Sequence, residues 1–104
     1  MQLLIDDVRD LASANVIARD FDAGYAMLAL GGWDEIVFDH DLGDDSHTGY
    51  DLLTEALEND WISDNVAVYL ITSNPSGFSR MQQALEHHGF KAAHVGSNKF
   101  TKTD

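Results

Sequence analysis

Three short apolar runs in this chain each end abruptly in polar residues. This repeated pattern is the sequence feature that most constrains the fold. Short apolar runs bounded by turn residues are typical of buried strands. In an open α/β sheet, ligands bind at the carboxyl ends of the strands. The pattern therefore predicts one site built from three strand ends. The runs and their polar exits are Leu3 to Ile5 with Asp6 and Asp7, Glu35 to Phe38 with Asp39, and Val66 to Ile71 with Thr72, Ser73 and Asn74.

The segments between these strands carry helical periodicity. The first predicted helix starts at Phe21, with Asp20 or Asp22 available as its N-cap, and stops at Gly31. The second predicted helix has one apolar stripe, formed by Leu52, Leu53, Ala56, Leu57 and Trp61. The third starts at Asn74 and Pro75 and ends at Gly89. Two further strands are predicted at Asn15 to Arg19 and Lys91 to Val95, with an irregular tail over residues 95–104.

This alternation of strands and helices predicts a single α/β domain over residues 1–104, with a five-stranded parallel sheet and about three helices. The run from Val66 to Ile71 has no polar alternation, which is typical of a central strand covered on both faces.

The composition narrows the classes of function. The chain has 18 acidic residues against 6 Lys and Arg, a net charge of −12, and no cysteine. Binding to duplex DNA is not expected, because it depends on many cationic contacts, whereas metal ions or a basic partner surface remain possible ligands. A soluble, cytoplasmic protein without membrane contact is expected, since no apolar run is long enough to span a bilayer.

Three motifs at these strand ends resemble a known family. They resemble the cyclic-phosphate processing receiver domains, which are related to the receiver domains of response regulators and are common in phages and bacteria. The resemblance covers roughly residues 3–95 and implies a flavodoxin-like sheet of order 2-1-3-4-5, here without the first and last receiver helices. The motifs are Asp6-Asp7-x-Arg9, Asp39-His40-Asp41-Leu42-Gly43 with Thr48-Gly49-Tyr50-Asp51, and Ser73-Asn74-Pro75-x-Gly77 with Met81.

The resemblance implies a metal site and a phosphate site. It implies that Asp6, Asp7 and Asp39 hold Mg²⁺ or Mn²⁺, with the backbone carbonyl of Asp41 as a further ligand. Asp39 is also implied to meet the phosphoryl group. The other implied roles are a hydroxyl donor to phosphate (Thr72 or Ser73) and phosphate binding (Arg9, Asn74 and Lys99). The family's usual His-Ser pair after the fourth strand is Thr72-Ser73 here.

His40 stands between two aspartates. It is a candidate proton carrier or metal ligand in the catalytic group, and the alternative is an exposed loop histidine.

Three functions stay open at this point. The first is metal-dependent handling of a phosphoryl group, with processing of a phosphoester such as a nucleotide cyclic phosphate or RNA end preferred over signalling. The second is a degenerate receiver that binds a protein and does no chemistry. The third is an acidic decoy of phage type that occupies a nucleic-acid-binding surface of a host protein. Because helices are missing from one face of the sheet, a homodimer or a protein partner is expected there.

Overall fold

The computed structural model describes residues 1–43 and 47–102. Residues 44–46, and residues 103–104 of the predicted tail, lie outside the described residues. The elements in chain order are β1 (Gln2–Ile5), β2 (Val16–Ala18), α1 (Phe21–Leu30), β3 (Glu35–Phe38), α2 (Gly49–Glu58), β4 (Ala67–Leu70), α3 (Pro75–His87), β5 (Lys91–Ala92) and β6 (Lys99–Thr101).

The sheet order is β2-β1-β3-β4-β6-β5, and the first four strands are parallel. The α/β class, the mostly parallel sheet, the number of helices and the order of these four strands are therefore as predicted. Successive parallel strands meet with Ile5 opposite Phe38 and Phe38 opposite Leu70. The polar residues that follow these strands consequently leave the sheet at one edge.

The last part of the sheet differs from the prediction. The sheet has six strands in the described residues, because residues 99–101 of the predicted irregular tail form β6. This strand runs antiparallel to β4 and separates it from β5, which is shortened to two residues. The side chain of Phe100 explains this pairing, since it is fully buried in the core opposite Val68.

All three helices contribute to the core on one face of the sheet. Alternate strand residues pack against the buried stripes of the helices. The helix starts are fixed by side-chain caps, with Asp20 accepting from the Ala23 N–H and Asn74 from the Gly77 N–H. The main members of this core are Leu3, Ile5, Ile36, Phe38, Val68 and Leu70 from the strands and Leu28, Leu52, Leu53, Met81 and Leu85 from the helices.

The other face, called the outer face below, carries no helix in the described residues. Burial therefore alternates along β4, with Val68 and Leu70 buried and Tyr69 half-buried, so coverage of this strand on both faces is a wrong prediction. Leu4 and Val37 are nevertheless 0% and 3% exposed on this face. Leu11 borders two cavities of about 280 and 340 Å³ there, both also lined by Val37. The loop that carries Leu11 thus covers part of the outer face.

Candidate metal and phosphate site

Three carboxylates lie together at the carboxyl edge of the sheet. One oxygen each of Asp6, Asp7 and Asp39 lies within 4.8 Å of the others. Asp6 follows β1 and Asp39 follows the neighbouring β3, and the Asp39 N–H donates to the carbonyl of Ile5 at 2.9 Å. The parallel register therefore brings together the acids that the sequence placed at these two strand ends.

Asp6 is the fully buried member of the cluster. Its Oδ1 accepts hydrogen bonds from the N–H groups of Val8 and Arg9, at 3.0 and 2.9 Å. Its Oδ2 is buried and has no hydrogen-bond partner in the described residues, and the guanidinium of Arg9 lies 3.5 Å away. A buried carboxylate oxygen without a hydrogen bond is costly. A cation between the three carboxylates would satisfy it.

The carboxyl group of Asp39 is shifted toward its neutral form. Burial raises its pKa above the usual value, and the negative charge of Asp6 raises it further. The N–H of Asp41, the charge of Arg9 and the N–H of His40 lower the pKa and offset part of this shift. Two like charges about 4 Å apart repel by about 4 kcal/mol at an effective dielectric constant near 20. A hard divalent cation removes that repulsion, so the residues fit such an ion.

Two glycines, Gly43 and Gly49, pack closely against the residues of the cluster. A Cβ atom built on Gly43 would lie 3.4 Å from Oδ2 of Asp7. A Cβ atom built on Gly49 would lie 1.8 Å from the carbonyl oxygen of Asp39, so only glycine fits there. The first residue of α2 is thereby packed directly onto the exit of β3.

Arg9 bridges the exits of two strands. Its Nη1 donates to the carbonyl of Ile71 at 2.6 Å and lies 3.5 Å from Oδ2 of Asp6. One end of its guanidinium thus has partners in the protein, and the side chain is 44% exposed. Phosphate binding by Arg9 stays a prediction, and it would use the remaining N–H groups.

His40 is buried beside the start of α3, so the alternative of an exposed loop histidine is wrong. Its Nδ1 lies 3.0 Å from Oδ1 of Asp41, and its Nε2 is buried without a hydrogen-bond partner in the described residues. Its ring rests on Gly77, where a Cβ atom would come within 2.5 Å of the ring. An Asp-His pair of this kind suits proton transfer.

Thr72 and Asn74 both serve the turn before α3. The hydroxyl of Thr72 accepts from the Asn74 N–H at 3.1 Å, and Oδ1 of Asn74 accepts from the Gly77 N–H at 3.1 Å. Ser73 is exposed in the same turn. Catalytic roles for the two hydroxyls and phosphate binding by Asn74 stay predictions, and the Asn74 side chain already has a structural role as helix cap.

Asp41 lies beside the carboxylate cluster, whereas the side chain of Lys99 lies beside Tyr69. The Asp41 N–H donates to Oδ1 of Asp39 at 3.4 Å, which keeps Asp41 beside the cluster. Lys99 pairs with Tyr69 in the sheet, and its ammonium group lies 5.9 Å from the centre of the Tyr69 ring. Metal binding by the Asp41 carbonyl and phosphate binding by Lys99 stay predictions.

Arg19 has a place at this site that the sequence reasoning missed. Its Nη1 donates to the carbonyl of Arg9 at 2.5 Å, and its Nη2 pairs with the carboxylate of Asp10. A signal was present in the sequence, since Arg19 is one of only 6 Lys and Arg residues and is the last residue of a predicted strand.

A family model, the cyclic-phosphate processing receiver domain, matches residues 1–87. The chain belongs to this receiver family. A similar solved structure is described as the crystal structure of a response regulator protein from Burkholderia pseudomallei with a phosphorylated aspartic acid, calcium ion and citrate. It has a TM-score of 0.63 and 17% identity over 80% of this chain, which shows the shared fold.

The match spans 54% of the response regulator chain. No curated protein matches this receiver domain. None of its helices in the described residues has the length and apolar character needed to cross a bilayer.

Proposed function

We propose that this receiver domain binds a divalent cation, Mg²⁺ or Mn²⁺, and processes a phosphoester such as a nucleotide cyclic phosphate. The observation that carries the proposal is the buried Oδ2 of Asp6, which accepts no hydrogen bond in the described residues and lies inside a cluster of three carboxylates. Carboxylate oxygens are the preferred ligands of these hard ions. The family description supports the substrate class, and the calcium ion of the similar response regulator supports the metal.

In this proposal Asp6, Asp7 and Asp39 hold the ion, with the backbone carbonyl of Asp41 as a further ligand. The bound cation supplies charge neutralisation and polarises the phosphoryl oxygens. The free N–H groups of Arg9 orient the phosphate, and the first turn of α3 offers backbone N–H groups to an anion.

Proton movement is assigned to the side chains around this turn. We assign proton transfer to the pair of His40 Nδ1 and Asp41 Oδ1, because Nε2 of His40 is buried without a hydrogen-bond partner in the described residues. The hydroxyls of Thr72 and Ser73 donate hydrogen bonds to phosphoryl oxygens in the position where relatives carry a His-Ser pair. Lys99 joins them only if its side chain turns from Tyr69 toward the strand ends.

Calorimetric titration of Mg²⁺ and of Mn²⁺ tests the metal site. Wild type is expected to show saturable one-site binding that is lost in Asp39→Asn. The matched control is Glu86→Gln, which makes the same change of net charge at an exposed position near the C-terminal end of α3 and should bind as wild type does. Equal binding by wild type and Asp39→Asn would contradict the site.

Turnover is tested separately, by incubating the metal-loaded protein with 2′,3′-cyclic nucleotides, RNA ends carrying a cyclic phosphate, and acyl-phosphate donors. Opening of a cyclic phosphate that needs the metal and is lost in Asp39→Asn supports phosphoester processing. Stable acylphosphate on Asp39 without turnover would instead favour a signalling receiver. Metal binding with neither reaction would favour the degenerate receiver that binds a protein.

A further inference from the structure

Arg19 joins the end of β2 to the loop that carries Asp7. Its Nη1 donates to the carbonyl of Arg9 at 2.5 Å and makes a longer contact of 3.5 Å with the carbonyl of Asp6. Its Nη2 pairs with the carboxylate of Asp10. One guanidinium thus contacts both ends of the loop between residues 6 and 10.

The loop has few other restraints. The N–H of Asp6 donates to the carbonyl of Ala18 at 3.1 Å, which is the last main-chain link between this loop and β2. The side chain of Val8 is 77% exposed, so it adds little packing to hold the loop in place. Arg9 reaches Ile71 through its side chain only. The shape of the loop therefore depends on the two arginine side chains and on the bonds that Asp6 accepts.

The position of Asp7 in the cluster depends on that shape. Asp6 and Asp39 are fixed by neighbouring strands, whereas Asp7 is one residue further into the loop. A shift of the loop would move the Asp7 carboxylate away from the other two without changing the sheet. Groups that orient metal ligands from outside the ligand set typically contribute a factor of about 10–100 to metal affinity.

We infer that Arg19 is a positioning residue, which holds the carboxylate of Asp7 in the metal-binding arrangement by bonding the loop carbonyls. This inference rests on the proposed metal site. In this role Arg19 acts by fixing the shape of the loop, and this effect is separate from that of its charge on the carboxylates.

The two effects have opposite signs, which makes the inference testable. Removing a positive charge near three carboxylates favours the binding of a cation, because the site becomes more negative. Removing the restraint on Asp7 weakens binding. Arg19→Gln is therefore expected to weaken Mg²⁺ and Mn²⁺ binding by about tenfold despite its more favourable charge.

Two further variants complete the titration. Arg80→Gln makes the same charge change on α3, where the guanidinium lies 4.2 Å from the centre of the Tyr50 ring, and should bind metal as tightly as wild type or slightly tighter. Arg19→Lys keeps the charge but loses the planar fork, so it should bind more weakly than wild type. Unchanged or tighter binding by Arg19→Gln would overturn the inference.

Amide hydrogen exchange provides a readout that needs no metal. The N–H groups of Val8 and Arg9 are hydrogen-bonded to Asp6 in the folded loop. Their exchange should be faster in Arg19→Gln than in wild type and unchanged in Arg80→Gln, with the strand amides of β1 and β3 protected in all three. Unchanged exchange would also overturn the inference. If wild type binds no metal, the proposed function fails, and the exchange rates still decide whether Arg19 holds the loop.

Discussion

The carboxyl group of Asp39 makes the stability of the metal-free protein depend on pH. Its pKa is raised in the folded state by burial and by Asp6, above an unfolded value of about 3.9. In the pH range between these two values the folded state binds more protons than the unfolded state. The free energy of unfolding therefore falls as pH rises through this range, by about 1.4 kcal/mol for each unit of pKa elevation.

Urea denaturation in a chelating buffer checks this dependence. Asp39→Asn should be more stable than wild type at neutral pH, and the difference should shrink toward zero as pH falls below about 3.9. Glu86→Gln provides the control, because its exposed carboxylate has solvent around it in both states. A stability difference between Asp39→Asn and wild type that does not change with pH would refute the explanation.

The contact between His40 and Gly77 predicts a coupled pair of substitutions. Gly77→Ala adds a Cβ atom that would lie 2.5 Å from the His40 ring, so the ring or α3 has to move. Overpacking of this kind costs about 1–3 kcal/mol. Chemical denaturation of both single variants and of Gly77→Ala with His40→Ala measures the coupling.

In the His40→Ala background the ring atoms at 2.5 and 2.6 Å are gone, while the contact with Cβ of residue 40 at 3.0 Å stays, so the cost of Gly77→Ala should fall without vanishing. Equal costs in both backgrounds would mean that the two residues are independent, since coupled neighbours are non-additive.

The composition of the acid cluster was predictable, but the bonds around it were not. Asp6, Asp7 and Asp39 follow apolar runs that were recognisable as neighbouring strands, and strand register then determines which of their side chains meet. Besides the carboxylates of Asp6 and Asp10, Arg9 and Arg19 contact main-chain carbonyls, which have no signature in a sequence. Hence the acids were identified, while the positioning arginine was missed.

Among the elements, α3 has the clearest sequence signal and a direct structural role for Asn74. Its side chain caps the helix by accepting from the Gly77 N–H. Asn74→Ala should destabilise the protein by about 1 kcal/mol, whereas Asn74→Asp should keep the cap. Thermal denaturation of the two variants checks this. If Asn74 also binds phosphate, Asn74→Asp should bind phosphate more weakly than wild type while its stability stays unchanged.

The strand β6 predicts that the C-terminal segment is part of the folded core. Phe100 is fully buried, so Phe100→Ala should lower the free energy of unfolding by about 3–5 kcal/mol. Val95 in the preceding turn is fully exposed, and Val95→Ala should leave stability within about 0.5 kcal/mol of wild type. Urea denaturation measures both. A cost for Phe100→Ala as small as that of Val95→Ala would contradict the pairing of β6 with β4.

This strand escaped prediction because its pattern is short. Phe100 is one apolar residue between Lys99 and Thr101, and an alternation over three residues does not stand out from a polar tail. The strands β1 and β3 are easier to recognise in the sequence, since their apolar runs are continuous and end in acidic residues. The direction of β6 depends on a hairpin whose turn includes Gly96 at φ 80°, and a single glycine does not specify that turn.

At the scale of the whole molecule, the outer face and the net charge decide which partner can approach. The chain itself buries Leu4 and Val37, which removes part of the reason for expecting a second chain there. Leu11 and Ile17 are still 38% and 36% exposed on or beside this face. The cations Arg9 and Lys99 also lie there, in a molecule whose net charge is −12. The outer face thus carries both signs of charge, with Asp10 and Glu35 beside these cations, and it is the face where we expect a second copy.

Salt dependence separates a second copy from a basic partner. Two copies of net charge −12 repel, so self-association through the outer face should strengthen as added salt screens that repulsion. Binding of a basic host protein, as in the decoy alternative, would weaken under the same change.

Sedimentation velocity at low and high salt, with wild type and Leu11→Asp, distinguishes these cases. We expect dimers of wild type at high concentration and high salt, and monomers of Leu11→Asp under the same conditions. A wild-type monomer at every salt concentration would contradict this expectation. It would mean that the loop carrying Leu11 buries enough of the outer face without a second chain.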